Sequence, residues 1–370
     1  MNFNDCKSFF IQELKNFFVL KSSVRSWHIP ILAGLSVGIP LMVGIYFDQS
    51  KAALTASLAG LVILYMPITN SIFKRMLVMF VCSFGMMLSY SVGLIFSFNP
   101  IVAVLVFGTL AIVVHYVART FNMKPPGSFF FIMIAAIAFM MPNDLSLAPQ
   151  KIGIFTLGTM GAFLLALIYS LLIKHDLEEN TSQLSIIIDR NPYHNGIESA
   201  LVGLFMAISL AVSYIFEMNN GYWIPISALA VLQGANSYIV GKRAVHRILG
   251  TSVGLLLCFF ILTNFNSNVG IAISIIVLQI MIELLIARHY ALAVVFITPI
   301  SILLAEAGTV NHVDPLVLIE SRFLDILIGS AIGVVGGFFI YSQKVRVYTS
   351  LRVRKFKNRK NLQNPNNLKE

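Results

Sequence analysis

Two carboxylic acids lie inside long apolar stretches of this chain, where an ionised side chain is unfavourable. One of them is Glu283, with Gln279 one helical turn before it and Arg288 five residues after it. Because burial favours the neutral form of a carboxyl group, Glu283 is a candidate for reversible proton binding within a membrane. The alternative interpretation is an acid, protonated or paired with an arginine, that only ties two helices together.

Asp325 is the second acid, and it follows Arg322 by three residues. This spacing lets the two side chains form an ion pair on one helix. The simpler interpretation is structural, with Asp325 neutralising Arg322 near the end of a membrane helix. The alternative is a pair that takes a direct part in the activity of the protein.

Four arginines are candidates for binding an anion. Arg119 and Arg288 each end an apolar stretch, and Arg243 and Arg247 lie one helical turn apart. Guanidinium groups bind carboxylates through two parallel hydrogen bonds, and clustered cations attract an anionic ligand. Basic residues also accumulate in the cytoplasmic loops of membrane proteins, and this alternative accounts for all four without a ligand.

Three further side chains have a functional and a plain interpretation. His115 lies one turn before Arg119 and either relays protons or bonds to a neighbouring helix. Tyr222 and Trp223 open an apolar stretch. They either stack on an aromatic ligand or belong to the belt of aromatic residues at a membrane surface.

The sequence lacks the motifs of common enzymes. No spacing typical of metal ligands, of a phosphate-binding loop or of a dinucleotide-binding turn occurs. The three cysteines, Cys6, Cys82 and Cys258, are far apart and indicate neither a disulfide framework nor a metal site. We therefore expect no catalytic residue, no metal and no cofactor, and a protein that is not an enzyme.

The elements that position these residues follow from the composition. Of the 370 residues, 57% are hydrophobic and 11% are charged, whereas a soluble domain has about 25% charged residues. The apolar stretches are long enough to cross a hydrocarbon core about 30 Å thick as helices. We predict an all-α polytopic membrane protein with about twelve transmembrane helices, at 29–47, 52–67, 76–96, 100–117, 127–142, 152–173, 197–216, 222–240, 245–264, 268–287, 290–306 and 322–342.

An internal repeat relates the two halves of the chain. A shift of 169 residues brings Lys74 onto Arg243 and Arg119 onto Arg288. Each predicted unit has six spans, so the two units are parallel six-helix repeats. The predicted organisation is a cytoplasmic arm with an interfacial helix (1–28), a first repeat (29–173), a cytoplasmic connector (174–196), a second repeat (197–342) and a basic cytoplasmic tail (343–370).

The basic residues predict the orientation. With both termini in the cytoplasm, nearly all of the 26 Lys and Arg residues lie on the cytoplasmic side, the exceptions being Lys51, Lys151 and Arg322. Arg243 and Arg247 then belong to a cytoplasmic turn between the eighth and ninth spans. We expect the basic tail to contact anionic lipid and not nucleic acid.

Glycine spacing predicts close contacts between helices. Gly250 and Gly254, and likewise Gly329 and Gly333, are four residues apart in an apolar stretch. Such small residues let two helix backbones approach in a membrane.

Two motifs suggest a family. The first runs from Tyr222-Trp223 through Gln233 and the basic residues to RILGTSVG (Arg247 to Gly254), and the second is RFLDILIGSAIG (Arg322 to Gly333). Together they resemble the fusaric acid resistance, or aromatic acid exporter, family, most clearly over 197–342.

This resemblance implies a secondary transporter of the bacterial inner membrane. It would export aromatic carboxylic acids or related hydrophobic organic anions at the expense of the proton motive force, with Gln233 among its site residues. The alternatives are an anion channel or uniporter resembling the malate channels of plants, or an envelope protein without transport. The expected partners are a small organic anion and membrane lipids, with a homo-oligomer or a periplasmic adaptor left open.

Overall fold

A computed structural model describes three parts of the chain. They are residues 27–172 apart from 68, 70 and 143, residues 192–306 apart from 219, 220 and 266, and residues 315–342. The predicted interfacial helix of the arm 1–28, most of the connector 174–196 and the basic tail 343–370 lie outside the described residues.

The described residues form twelve α-helices and one 3₁₀-helix, with no β-strand among them. In chain order the helices are α1 (His28–Tyr46), α2 (Ser50–Gly60) continued by the 3₁₀-helix (Leu61–Tyr65), α3 (Ile72–Ile95), α4 (Pro100–Thr120), α5 (Phe129–Phe139), α6 (Ala148–Leu172), α7 (Pro192–Ile215), α8 (Trp223–Leu232), α9 (Ser237–Asn264), α10 (Asn268–Leu285), α11 (Tyr290–Glu306) and α12 (Pro315–Tyr341). The prediction of an all-helical membrane protein is confirmed.

Eight of these helices are long and apolar enough to cross a membrane: α1, α3, α4, α6, α7, α9, α10 and α12. The other four, α2 with its 3₁₀ extension, α5, α8 and α11, are apolar but shorter. The prediction of twelve spans is therefore not confirmed. The clearest difference is α8, whose ten residues extend only about 15 Å, half the thickness of the hydrocarbon core.

Side-chain caps fix where several helices begin. Asn99 accepts hydrogen bonds from the backbone N–H groups of Ile101 and Val102, at 2.9 and 3.3 Å, and Pro100 is the first residue of α4. Asn236 accepts from the N–H of Ile239 at 2.9 Å and starts α9 in the same way. These bonds satisfy donors that have no partner within the helix.

The beginning of α9 corrects one prediction. The sequence analysis placed Arg243 and Arg247 in a cytoplasmic turn between the eighth and ninth spans, but α9 already begins at Ser237. Both arginines therefore lie on a helix. The segment that connects α8 to α9 runs from Gln233 to Asn236. The apolar pattern did not reveal this, because the first turns of α9 carry three basic residues, Lys242, Arg243 and Arg247.

Several features recur at the predicted offset. The helices α1, α3 and α6 end 169 residues before α7, α9 and α12 end. Asp48, just after α1, has a φ of 55°, and Glu217, just after α7 and 169 residues later, has a φ of 47°. These coincidences agree with the repeat, which itself stays a prediction.

The two halves meet mainly along two pairs of helices, α1 with α10 and α4 with α7, and α5 also contacts α8. At the second pair, a Cβ on Gly203 would lie 2.6 Å from the carbonyl oxygen of Gly108. At the first pair, a Cβ on Gly34 would lie 2.6 Å from the Ile280 side chain. Only glycine permits such close approach of the helices.

Glycines also pack α9 and α12 within the second half. A Cβ on Gly250 or Gly254 would lie 2.7 Å from a backbone oxygen of α11. Gly329 and Gly333 bring α12 against the backbone of α8 at Ile224 and Ala228. The four glycines singled out in the sequence therefore lie at helix contacts.

Candidate functional site

A cavity of about 2020 Å³ lies between the two halves. Residues of α2, α3, α5 and α6 line it from the first half, and residues of α8, α9, α10 and α11 line it from the second. The glycine-packed helix α9 and the short helix α8 thus both contribute to one internal space. This volume exceeds that of an ordinary small-molecule pocket of about 300–1,000 Å³.

The second-half wall carries the two arginines that line the cavity. Arg247 is buried, and its Nε donates a hydrogen bond to Ser227 Oγ at 3.1 Å. A guanidinium nitrogen of Arg243 donates to the carbonyl oxygen of Ala230 at 3.1 Å, and its Cζ lies 5.1 Å from the ring centre of Tyr290. These contacts hold both guanidinium groups against α8, at the edge of the cavity.

The same wall carries several of the other predicted site residues. Tyr222 and Trp223 are both 7% exposed and line the cavity, as does Gln233, whose Nε2 donates to the carbonyl oxygen of Pro126 at 3.4 Å. Glu283 and Gln279 line it from α10 and are 5% and 3% exposed. The two aromatic rings are therefore buried against the cavity.

The first-half wall is much less polar at matching positions. The residues that stand 169 positions before Trp223, Gln233, Arg247 and Tyr290 also line the cavity, and they are Leu54, Leu64, Val78 and Phe121. Lys74 is an exception, since it lines the cavity at the position that matches Arg243. The cavity is thus chemically asymmetric, because its two arginines lie on the second-half wall and its four lysines, Lys51, Lys74, Lys124 and Lys151, lie on the first-half wall.

A second cluster of charges lies between α4 and α7, and sequence reasoning missed its central acid. A guanidinium nitrogen of Arg119 donates to Glu198 Oε2 at 2.7 Å. The His115 Nε2 and His194 Nδ1 atoms each lie 3.6 Å from an oxygen of the same carboxylate. Glu198 is buried, whereas Arg119 is 47% exposed.

Glu198 corrects the sequence analysis, which placed only Glu283 and Asp325 within spans. The predicted span 197–216 already contained Glu198, and the candidate span that the structure gives for α7, His194–Ile215, contains it as well. The spacing of His194 and Glu198 was a visible signal for a helical pair. The partner Arg119 is 79 positions away in the sequence, so only the fold reveals it.

The structure does not bring Arg119 and Arg288 together at the cavity. Neither of them, nor His115, is among the described residues that line it. His115 Nδ1 instead lies 3.2 Å from Ser128 Oγ. The position that matches Glu198 in the first half is Ile29, so the contact that holds Arg119 is not repeated at Arg288.

Arg322 and Asp325 lie behind the aromatic part of the cavity wall. Their nearest charged atoms are 4.0 Å apart, and both side chains are almost completely buried. The Arg322 Cζ lies 4.8 Å from the ring centre of Trp223 and 5.7 Å from that of Tyr222. The predicted ion pair is therefore also in contact with two residues of the cavity.

In the part of the chain that the structure describes, no group of three or more His, Cys, Asp or Glu side chains could hold a metal ion. The fold and this cavity define a helical membrane protein with an internal, cation-lined space. Residues 206–336 match the model of the fusaric acid resistance protein-like family. This match includes both motifs that carried the resemblance, which is confirmed.

Two curated proteins are similar to parts of the chain. The uncharacterized membrane protein YvaC of Bacillus subtilis (strain 168) is 36% identical over 138 residues, which cover 37% of this chain and 21% of that protein. The uncharacterized protein slr1298 of Synechocystis sp. is 29% identical over 170 residues, which cover 44% of this chain and 21% of that protein. The chain thus spans about a fifth of the length of these relatives. No solved structure matches it.

Proposed function

We propose that this chain is a secondary transporter that exports organic anions with an aromatic or other apolar body. The observation that carries the proposal is the asymmetric cavity between the halves. Its second-half wall presents Arg243, Arg247 and two aromatic rings, and its first-half wall is largely apolar at the matching positions. An anion with an apolar body is the kind of ligand that such a space accommodates.

The carboxylate of the ligand would bind at the arginines. Arg247 is held in place by Ser227, so its guanidinium is oriented before a ligand arrives. Preorganised guanidinium groups bind carboxylates strongly, because the charge assists each hydrogen bond. The ring of the ligand would then lie between Tyr222, Trp223 and apolar residues of the first-half wall.

Glu283 is the residue we propose to couple transport to protons. It shares the cavity with Arg243 and Arg247 and is only 5% exposed. For export driven by protons, the anion would leave while Glu283 is ionised, and Glu283 would carry a proton back when the arginines are empty. Proton and anion would therefore cross the membrane in opposite directions.

The setting of the transporter is also part of the proposal. We place it in the bacterial cytoplasmic membrane with both termini in the cytoplasm, which the distribution of basic residues along the sequence supports. The small organic anion is its proposed partner, together with anionic lipid at the basic tail.

An anion channel is the second candidate. Lys51, Lys74, Lys124 and Lys151 also line the cavity, and the predicted topology puts two of them toward each side of the membrane. Cations at both mouths are typical of a passive anion pathway. A channel would carry anions downhill with the membrane voltage and would not need Glu283.

The experiment that tests the proposed site measures uptake of radiolabelled benzoate into proteoliposomes at pH 7.5, with protein-free liposomes as the control for leak. Arg247→Gln is expected to raise the KM about tenfold or more, because a charge-assisted hydrogen bond contributes about 1.5–3 kcal/mol. Arg288→Gln is the matched control, since Arg288 lies outside the cavity lining. Equal KM values for the two variants would contradict the proposed site.

A further inference from the structure

Arg322 is buried directly behind the aromatic part of the cavity wall. Its Cζ lies 4.8 Å from the ring centre of Trp223 and 5.7 Å from that of Tyr222, and its side chain is only 2% exposed. Both rings line the cavity, whereas Arg322 is not among the described lining residues. The guanidinium therefore contacts the two rings, and the rings in turn line the cavity.

The packing of α12 against α8 fixes this arrangement. Gly329 and Gly333 press the two backbones together at Ile224 and Ala228. Arg322 lies seven residues before Gly329 and so occupies the same face of α12, two turns away. On that face the backbone contact determines how far the guanidinium reaches over the rings.

Asp325 holds the guanidinium from its own helix. Its Oδ2 lies 4.0 Å from a guanidinium nitrogen of Arg322, and the carboxylate is fully buried. A cation that is removed from water interacts more strongly with the face of an aromatic ring than an exposed one. Arg322 is thus constrained between a carboxylate and two rings, and each ring is constrained by a cation in return.

We propose that Arg322 is a positioning residue that fixes Tyr222 and Trp223 in the cavity wall. In this way it sets a preference for anions that carry an aromatic ring over saturated anions of the same charge and size. The preference for aromatic anions rests on the proposed function, which supplies the ligand. The position of the two rings rests only on their contacts with the guanidinium. The competing explanation is an ion pair that merely neutralises two buried charges.

Two double variants separate these explanations. Arg322→Gln with Asp325→Asn removes both charges, so neither is left buried without its partner. Arg322→Asp with Asp325→Arg keeps the ion pair but moves the cation about one helical turn along α12, away from the rings. If the ion pair is only structural, the exchange variant keeps the preference for aromatic anions. If Arg322 positions the rings, the exchange variant loses that preference.

The functional readout compares benzoate with cyclohexanecarboxylate, its saturated counterpart, as competing inhibitors of transport in proteoliposomes. Both double variants are expected to weaken benzoate binding by about fivefold to thirtyfold, the range that a desolvated cation–π contact represents. Cyclohexanecarboxylate binding should change by less than about twofold. Equal weakening of both acids, or an exchange variant that keeps the benzoate preference, would overturn the proposal.

A second readout does not depend on transport. The chain has two tryptophans, so Trp27→Phe leaves Trp223 as the sole source of tryptophan fluorescence. In that background, removal of the Arg322 charge should shift the emission of Trp223, while Arg288→Gln should not. An unchanged emission overturns the positioning of Trp223. If wild-type protein neither transports nor binds benzoate, the proposed function fails, and the fluorescence result still decides whether Arg322 positions the ring.

Discussion

At the scale of the residue, the buried side chains of Glu198 and Arg247 are each held by a partner on another helix. Glu198 on α7 receives a 2.7 Å hydrogen bond from Arg119 on α4, and His115 on α4 lies 3.6 Å from the same carboxylate. Arg247 on α9 donates to Ser227 on α8. Since each contact joins two elements, each charge contributes to the arrangement of helices as well as to the electrostatics of its site.

We predict that Glu198→Gln destabilises the contact between the two halves. The variant loses the ion pair with Arg119, and because Arg119 is partly exposed, the coupling energy should be about 1 kcal/mol or less. Thermal unfolding in detergent of Glu198→Gln, Arg119→Gln and the double variant measures this energy as a double-mutant cycle. Additive effects of the two substitutions would show that the pair contributes nothing.

At the scale of the element, close helix contacts rest on glycine. A methyl group added at Gly329 would meet the carbonyl oxygen of Ile224, which belongs to a backbone that cannot move aside easily. Gly161 on α6 offers a comparison, because a methyl group there would have no atom within 4 Å. The two glycines differ only in what faces them.

Gly329→Ala is therefore expected to destabilise the protein by about 1–3 kcal/mol, the usual effect of overpacking. Gly161→Ala should be neutral or slightly stabilising, because alanine favours the helix more than glycine does. Thermal unfolding of the two variants in the same detergent makes the comparison. A loss of stability in Gly161→Ala equal to that in Gly329→Ala would refute the role given to the α8–α12 contact.

The sequence was a good guide to the helices and a poorer one to their ends. The apolar stretches located each of the described helices, but they did not identify the capping residues Asn99 and Asn236. The end of α8 was not predictable, because tertiary contacts decide it. There the Tyr341 hydroxyl donates to the carbonyl oxygen of Gly234, 107 positions away in the sequence.

The candidate site was predictable in its residue types but not in its grouping. Arg243, Arg247, Glu283 and Trp223 were chosen as charged or aromatic residues near apolar stretches, and the fold brings them to one cavity. Arg119 was chosen on the same grounds, and the fold places it with Glu198 instead. Sequence spacing reports neighbours on one helix, whereas these groupings involve several helices.

At the scale of the whole molecule, the two halves contribute differently to one cavity. The first half supplies Leu54, Leu64 and Val78, where the matching positions of the second half are Trp223, Gln233 and Arg247. If the halves are parallel repeats, the lysines of the cavity lie in the first of them, and its arginines and Glu283 lie in the second. The family match, over residues 206–336, lies in that same half.

The central claim is that the cavity couples anion export to protons through Glu283. The most direct test is uptake of radiolabelled benzoate into proteoliposomes against its concentration gradient, with a pH gradient and a voltage imposed separately. We predict uphill movement driven by the pH gradient, lost in Glu283→Gln and kept in Glu217→Gln, whose carboxylate is exposed outside the cavity lining. Downhill flux that follows the voltage and is unchanged in Glu283→Gln would contradict the account and identify an anion channel.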